Sequence, residues 1–218
     1  MSTSDSGDTA LLDAWANEAV TQFLKDTKIH VRTASLAVTA NSADYTLDTD
    51  ILAFMDIYIT PASGQWDGML EPIDSGELLR RRLLSSSAES TVRNYALQGA
   101  HTLMLYPAPQ SSLDTLHILY VPRPASTLSA TADSPSATAY GGIPTEYHPL
   151  LESYVKWKAC EAEEHKPSQN GLQFQSEYEK GVARVKADLN RKAGVLKAGS
   201  FWGRRGSRFP STPGTDWK

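Results

Sequence analysis

Two amphipathic helices joined by a short break, with a tail behind them that has no period, constrain this chain more than any other stretch. After Ile143, Pro144 and Thr145, the apolar residues Tyr147, Leu150, Leu151, Tyr154 and Trp157 recur at helical spacing. Pro167 and the pair Asn170-Gly171 interrupt the pattern. It resumes with Phe174, Tyr178, Val182, Val185 and Leu189 in one stripe, while Glu177, Lys180, Arg184, Lys186 and Asp188 lie largely off it. Past Gly194 the stripe ends. The spacing predicts a helical hairpin over 143–193 and an extended arm over 194–218.

The arm differs from the rest in charge. It holds Lys197, Arg204, Arg205, Arg208 and Lys218 against Asp216, a formal +4 within a chain of net −4, so the other 193 residues sum to −8. A basic segment on an acidic body points to a partner of its own; the plainer alternative is a solvated terminus. Phe201, Trp202, Phe209 and Trp217 add large aromatics with no local period to bury them. Aromatics and arginine are what anchor interfaces. Gly199, Gly203, Gly206, Pro210, Pro213 and Gly214 oppose a helix in the arm.

Upstream, Leu11, Leu12, Trp15, Ala16, Ala19, Val20, Phe23 and Leu24 form the stripe of an N-terminal helix, starting near Asp8-Thr9 and ending near Thr27-Lys28. From Ile29 the period becomes two, and Ile29, Val31, Thr33, Leu36 and Val38 read as a strand. Tyr45–Leu47 is short and extended, and Ile51–Thr60 is a buried strand. A loop or hairpin tip over 61–76 follows, then a short helix over Glu77–Leu84. Arg80, Arg81 and Arg82 are spread about 100° apart around that helix, which predicts a solvated face rather than a patch. Val92–Leu97, His101–Tyr106 and Thr115–Val121 read as an antiparallel meander, because the gaps leave no room for a crossover helix. Residues 125–142 are small and polar, an extended linker. The fold class is therefore α+β: an antiparallel helical bundle (helix 1–28 with hairpin 143–193), an inserted antiparallel β-rich region (29–124), the linker 125–142 and the arm 194–218.

Chemistry is absent from the motifs. The histidines His30, His101, His117, His148 and His165 have no zinc-ligand spacing, and His101 and His117, which could face each other on paired strands, read as sheet histidines rather than ligands. No nucleophile elbow or phosphate-cradling loop occurs, and the run Glu161, Glu163, Glu164 reads as a solvated helix end. No catalytic, cofactor-binding or metal site is expected. The polar, acidic N-terminus is no secretory signal, and no apolar run reaches the roughly 20 residues of a membrane span. The single cysteine, Cys160, excludes an internal disulfide, fits a reducing cytoplasm, and is expected to be a small buried helix residue.

Short segments in a fixed order carry a resemblance. They are Tyr45-Thr46-Leu47-Asp48-Thr49-Asp50-Ile51-Leu52, Tyr95-Ala96-Leu97-Gln98-Gly99, Leu103–Pro109, Leu119-Tyr120-Val121-Pro122-Arg123-Pro124 and Ile143–Leu151. Over roughly residues 10–195 the chain resembles head-to-tail connector adaptors, or head completion proteins, of tailed double-stranded-DNA bacteriophages. The resemblance implies a virion protein made in the bacterial cytoplasm, forming a ring, usually dodecameric, under the portal protein. It implies helices around a DNA channel through which genomic DNA passes without sequence-specific binding. A next connector or tail protein binds below, and no membrane, cofactor or reaction is involved. Carried onto this chain, the ring-forming helices would present Tyr154, Trp157, Tyr178, Val182, Val185 and Leu189. The portal-binding arm would use Phe201, Trp202, Arg204, Arg205, Arg208, Phe209 and Trp217. The competing reading is a nucleic-acid-binding accessory protein, because arginine and glycine beside aromatics also suit stacking on single strands. The acidic body lacks the basic stripe that duplex recognition needs.

Overall fold

The computed structural model describes residues 5–60, 69–84, 91–99, 101–110, 114–129, 133–164 and 169–202, the backbone alone at 5–8, 164 and 192–202. It stacks four layers: a helical bundle, two sheets face to face, and a short helix on the far side.

Helix α1 runs Asp5–Thr27, starting earlier than the Asp8-Thr9 cap predicts. At its end the Thr27 hydroxyl donates to Phe23 O (2.7 Å), and Lys28 takes a positive φ of 52° that turns the chain out of the helix. Strand β1 (Arg32–Ala37) follows, then β2 (Asp44–Thr46) and β3 (Ile51–Thr60). Strand β4 is the pair Glu71–Pro72, and helix α2 spans Ser75–Leu84. Its start, two residues ahead of the expected Glu77, is capped by Asp74, whose carboxylate accepts from the amides of Gly76 (2.8 Å) and Glu77 (3.3 Å). Strands β5 (Asn94–Gln98), β6 (Thr102–Tyr106) and β7 (Thr115–Pro122) complete the β-region.

The strands do not form the meander. One sheet has the order β1-β7-β3, the other β2-β6-β5-β4. Only β5 and β6 form the expected hairpin, turning at Gly99 with φ of 65°. Strand β7 crosses into the other sheet for a physical reason. Leu116, Ile118 and Tyr120 point to one face and Val121 to the other, so it is buried on both faces and needs a central place. It pairs antiparallel with β1 (Ser35 opposite His117) and with β3, whose register slips twice, between Ile51 and Ala53 and between Phe54 and Asp56. Part of the expected 61–76 loop is sheet as well: β4 pairs parallel with β5, with the expected short helix α2 as the crossover between them. Residues 61–68 of that loop lie outside the described residues.

Alternation places the layers. Leu103 and Leu105 of β6 face Leu116 and Ile118 of β7 across the sandwich, while Met104 points outward to Leu78 of α2. On the other side, Leu52, Ala53 and Met55 of β3 with Val121 meet the bundle of α1, α3 (His148–Glu164) and α4 (Gln169–Trp202). Helix α4 therefore continues through residues 194–202, which the loss of the apolar stripe after Gly194 assigned to an extended arm. A helix lasts as long as its backbone bonds do, and the stripe reports only the part covered by a neighbour. The linker is not a free connector either. It carries a 3₁₀ turn (Thr138–Tyr140) and a sharp bend at Gly141 (φ 118°) and Gly142 (φ 66°), and it ends on the fully buried Ile143 before a second turn, Thr145–Tyr147.

Candidate functional site: helical bundle and exposed faces

The six residues assigned to ring-forming helices come together, but as the bundle's own core. Tyr154, Tyr178, Val182 and Val185 are buried among α1, α3 and α4, with Trp157 and Leu189 half-buried against them. Tyr154 meets Trp157 edge-on with ring centroids 5.3 Å apart, and Tyr178 at 5.1 Å. These side chains hold the three helices of one chain together. Gly181 of α4 packs on Leu150 of α3, where a Cβ would collide with the Leu150 side chain.

Both buried tyrosines tie the hairpin to α1 through carboxylates. The Tyr154 hydroxyl donates to Glu18 (2.7 Å) and the Tyr178 hydroxyl to Asp26 (3.3 Å). Burial, followed for Tyr154 by the Glu18 hydrogen bond and for Tyr178 by the Asp26 charge, pushes both hydroxyls well above the ordinary tyrosine value. Nearby, Trp157 Nε1 donates to Glu161 (2.7 Å) and the Lys158 ammonium sits 4.7 Å from the Trp157 ring centroid. Glu161 is thus an acceptor in a side-chain network rather than one of a purely solvated run. Cys160, expected to be buried, is only half-buried.

Two further expectations change. Arg82 is not on a solvated face: its side chain is 23% exposed, and Nη2 reaches Asp44 (2.8 Å), Ala43 O (2.9 Å) and Leu105 O (3.0 Å). Four residues after the fully buried Leu78, it shares the inward face of α2, a placement readable only once Leu78 is known to be the buried position. His101 and His117 do not face each other. His117 on β7 stacks on Tyr58 (4.7 Å) and bonds Ser35 (3.1 Å), whereas His101 lies at the β5–β6 turn of the other sheet.

Sequence reasoning also missed Asn17. Its amide receives the Leu128 N–H (2.7 Å) and donates to Leu128 O (2.8 Å), clasping the linker to α1. His30 reaches Gly142 O at 2.8 Å further along the same linker. A polar residue at the edge of the α1 stripe was the available signal.

Of the arm, Phe201 and Trp202 close α4, while Arg204, Arg205, Arg208, Phe209 and Trp217 lie outside the described residues. Among the described residues no three histidine, cysteine or acidic side chains gather as metal ligands, and no helix is long and apolar enough to cross a membrane.

A family model described as SU10 adaptor protein matches residues 2–199. The chain belongs to the SU10 adaptor protein family. No curated protein matches it. As an SU10-family adaptor it is a phage structural protein, a component of the virion that works through contacts with other phage structural proteins. Its functional sites are therefore surfaces, and the exposed apolar residues matter more than the pockets. Among the described residues two groups stand out, Leu79, Leu83 and Leu84 on α2 and Leu11 and Leu12 on α1, while Val31, Met69 and Leu172 are exposed elsewhere.

Proposed function

We propose that this adaptor forms a ring under the portal, docks there through its C-terminal arm, and links the DNA-filled head to the tail. The ring is built from neighbouring copies, usually twelve in connectors of this kind, and its channel lets genomic DNA pass without sequence-specific contact. The observation that carries the reading is the reach of α4. The last residue of α4 in the described bundle core is Leu189, yet the helix runs on to Trp202, about 20 Å further at 1.5 Å per residue. The aromatic and basic segment Phe201–Trp217 starts, in the sequence, at the end of this helix. Such a segment suits a groove on another protein, where aromatics supply apolar area and arginines bidentate hydrogen bonds. Repetition around a ring multiplies weak single contacts. The acidic body suits a channel wall to which DNA does not adhere.

Deleting residues 203–218 tests this. The shortened chain is expected to keep its far-ultraviolet circular dichroism and thermal midpoint while losing retention on portal-containing particles. Retention at the full level would remove the docking role. If the deletion instead abolished binding to single-stranded DNA or RNA and left particles complete, the arm would be a nucleic-acid tail.

A further inference from the structure

The stripe on α1 is longer than the core that covers it. Ala19, Val20, Phe23 and Leu24 are buried, whereas Leu11 and Leu12, two turns earlier on the same stripe, are each 46% exposed. With Trp15, Ala159, Ala162 and Glu163 they line an open cleft of about 390 Å³ between α1 and the end of α3. Its wall is apolar except for Glu163, which makes no ion pair among the described residues.

The opposite layer carries a counterpart. Leu78 and Arg82 occupy the inward face of α2, and at 100° per residue Leu79, Leu83, Arg80 and Leu84 follow one another around the outward face. Leu83 is 86% and Leu84 71% exposed, and the Arg80 side chain, 73% exposed, has only a 3.9 Å approach to Glu77. This is a leucine ridge with a cation in its middle, while the cleft is an apolar trough with an anion at its edge.

We propose that the α2 ridge of one copy seats in the α1–α3 cleft of the next, with Arg80 against Glu163. The proposal rests on the ring reading above and names the surfaces that meet. The occupant is a second copy because both halves are on one chain and complement each other in shape class and charge. The two patches lie in the outermost layers on opposite sides of the sheets, so a single molecule cannot satisfy them internally. A contact between two different patches is heterologous and repeats head to tail, which closes a ring when the rotation allows. Burying leucines supplies the attraction, and the charge pair fixes the orientation.

Cross-linking between separate full-length chains tests it, with Cys160→Ser in both. One carries Leu83→Cys and the other Ala162→Cys; both positions are exposed, and Leu79→Cys serves if the first fails to fold. Mixed and mildly oxidised, they are expected to form the mixed disulfide dimer at least tenfold faster than either forms its own. In sedimentation, Arg80→Glu or Glu163→Arg alone should weaken self-association about tenfold, and the two together should restore it within about threefold. Equal cross-linking in all mixtures, or none, overturns the interface, as does failure of the double reversal to rescue. The ring reading is judged separately, by particle retention and by the mass of the complex with portal. A ring that forms without this cross-link sinks the interface alone.

Discussion

In the helical layer the polar ties sit at the ends of large apolar side chains. Tyr154 and Tyr178 are buried by their rings and spend only a hydroxyl on Glu18 and Asp26. On the far side of the molecule the tie is a whole cation: one Arg82 nitrogen serves Asp44 and the carbonyls of Ala43 and Leu105, joining α2 to strands β2 and β6. The difference sets what each region loses when its tie is cut. A tyrosine that becomes phenylalanine keeps its packing, whereas an arginine removed from this site takes a donor from the Leu105 carbonyl and from Asp44, and leaves Ala43 O with the Leu105 N–H (2.8 Å). The bundle should therefore tolerate polar loss and resist changes of shape, and the α2 corner should do the reverse.

Arg82→Met is the strongest test. It keeps the apolar stem and removes every donor, and should cost about 3 kcal/mol in urea denaturation through desolvated acceptors and the lost ion pair. The neighbouring Arg81→Met, at a side chain 43% exposed and paired to Glu77, should cost less than about 1 kcal/mol. Equal costs would mean that the three acceptors of Arg82 carry no special weight. In the bundle the comparable loss comes from shape. Gly181→Val drives a branched side chain into Leu150 and should cost about 2 kcal/mol, with partial rescue by Leu150→Ala.

Legibility follows the same division. The bundle was readable because Tyr178, Val182, Val185 and Leu189 repeat a period that belongs to one helix. The pairing of β7 was not, since period two says which face a residue takes and nothing about which strand lies alongside. Its two-faced burial, with Ile118 against one core and Val121 against the other, depends on helices far away in sequence. The helical state of 194–202 was hidden because the apolar stripe in the sequence ends before it. Of the exposed faces, Leu11 and Leu12 were legible as stripe residues but not as uncovered ones, because coverage depends on where α3 ends.

Tyr178→Phe probes the tyrosine ties at smaller cost, about 1 kcal/mol near neutral pH. Its pH dependence gives the sharper signature. The folded hydroxyl titrates above the ordinary value near 10 because burial and Asp26 disfavour the phenolate. The unfolded chain releases its proton first as pH rises, so the contribution is full below about 10 and is lost on going higher. The wild type should lose stability above pH 10 more steeply than Tyr178→Phe, and Tyr154→Phe should behave alike. Parallel curves would show that the two hydroxyls are not the groups destabilised by alkali.

The smallest effect is expected where bundle and linker meet. Asn17 is half-buried and makes a two-way clasp with the Leu128 backbone while also donating to Asp13 O (2.7 Å). Asn17→Ala removes all three bonds but leaves room for water at a partly open site, so the cost should be about 1 kcal/mol. Its visible consequence should be local: faster proteolysis within 125–142 and unchanged protection of the bundle helices. Asn17→Asp separates the clasp from simple packing. The carboxylate still accepts from the Leu128 amide, but it sets a negative charge against the carbonyls of Leu128 and Asp13, where Asn17 had a donor. Asp should therefore be worse than Ala above the carboxyl pKa and recover towards it in acid. If Ala and Asp behave alike at neutral pH, the linker is held by Ile143 and the His30 contact instead, and the clasp is incidental.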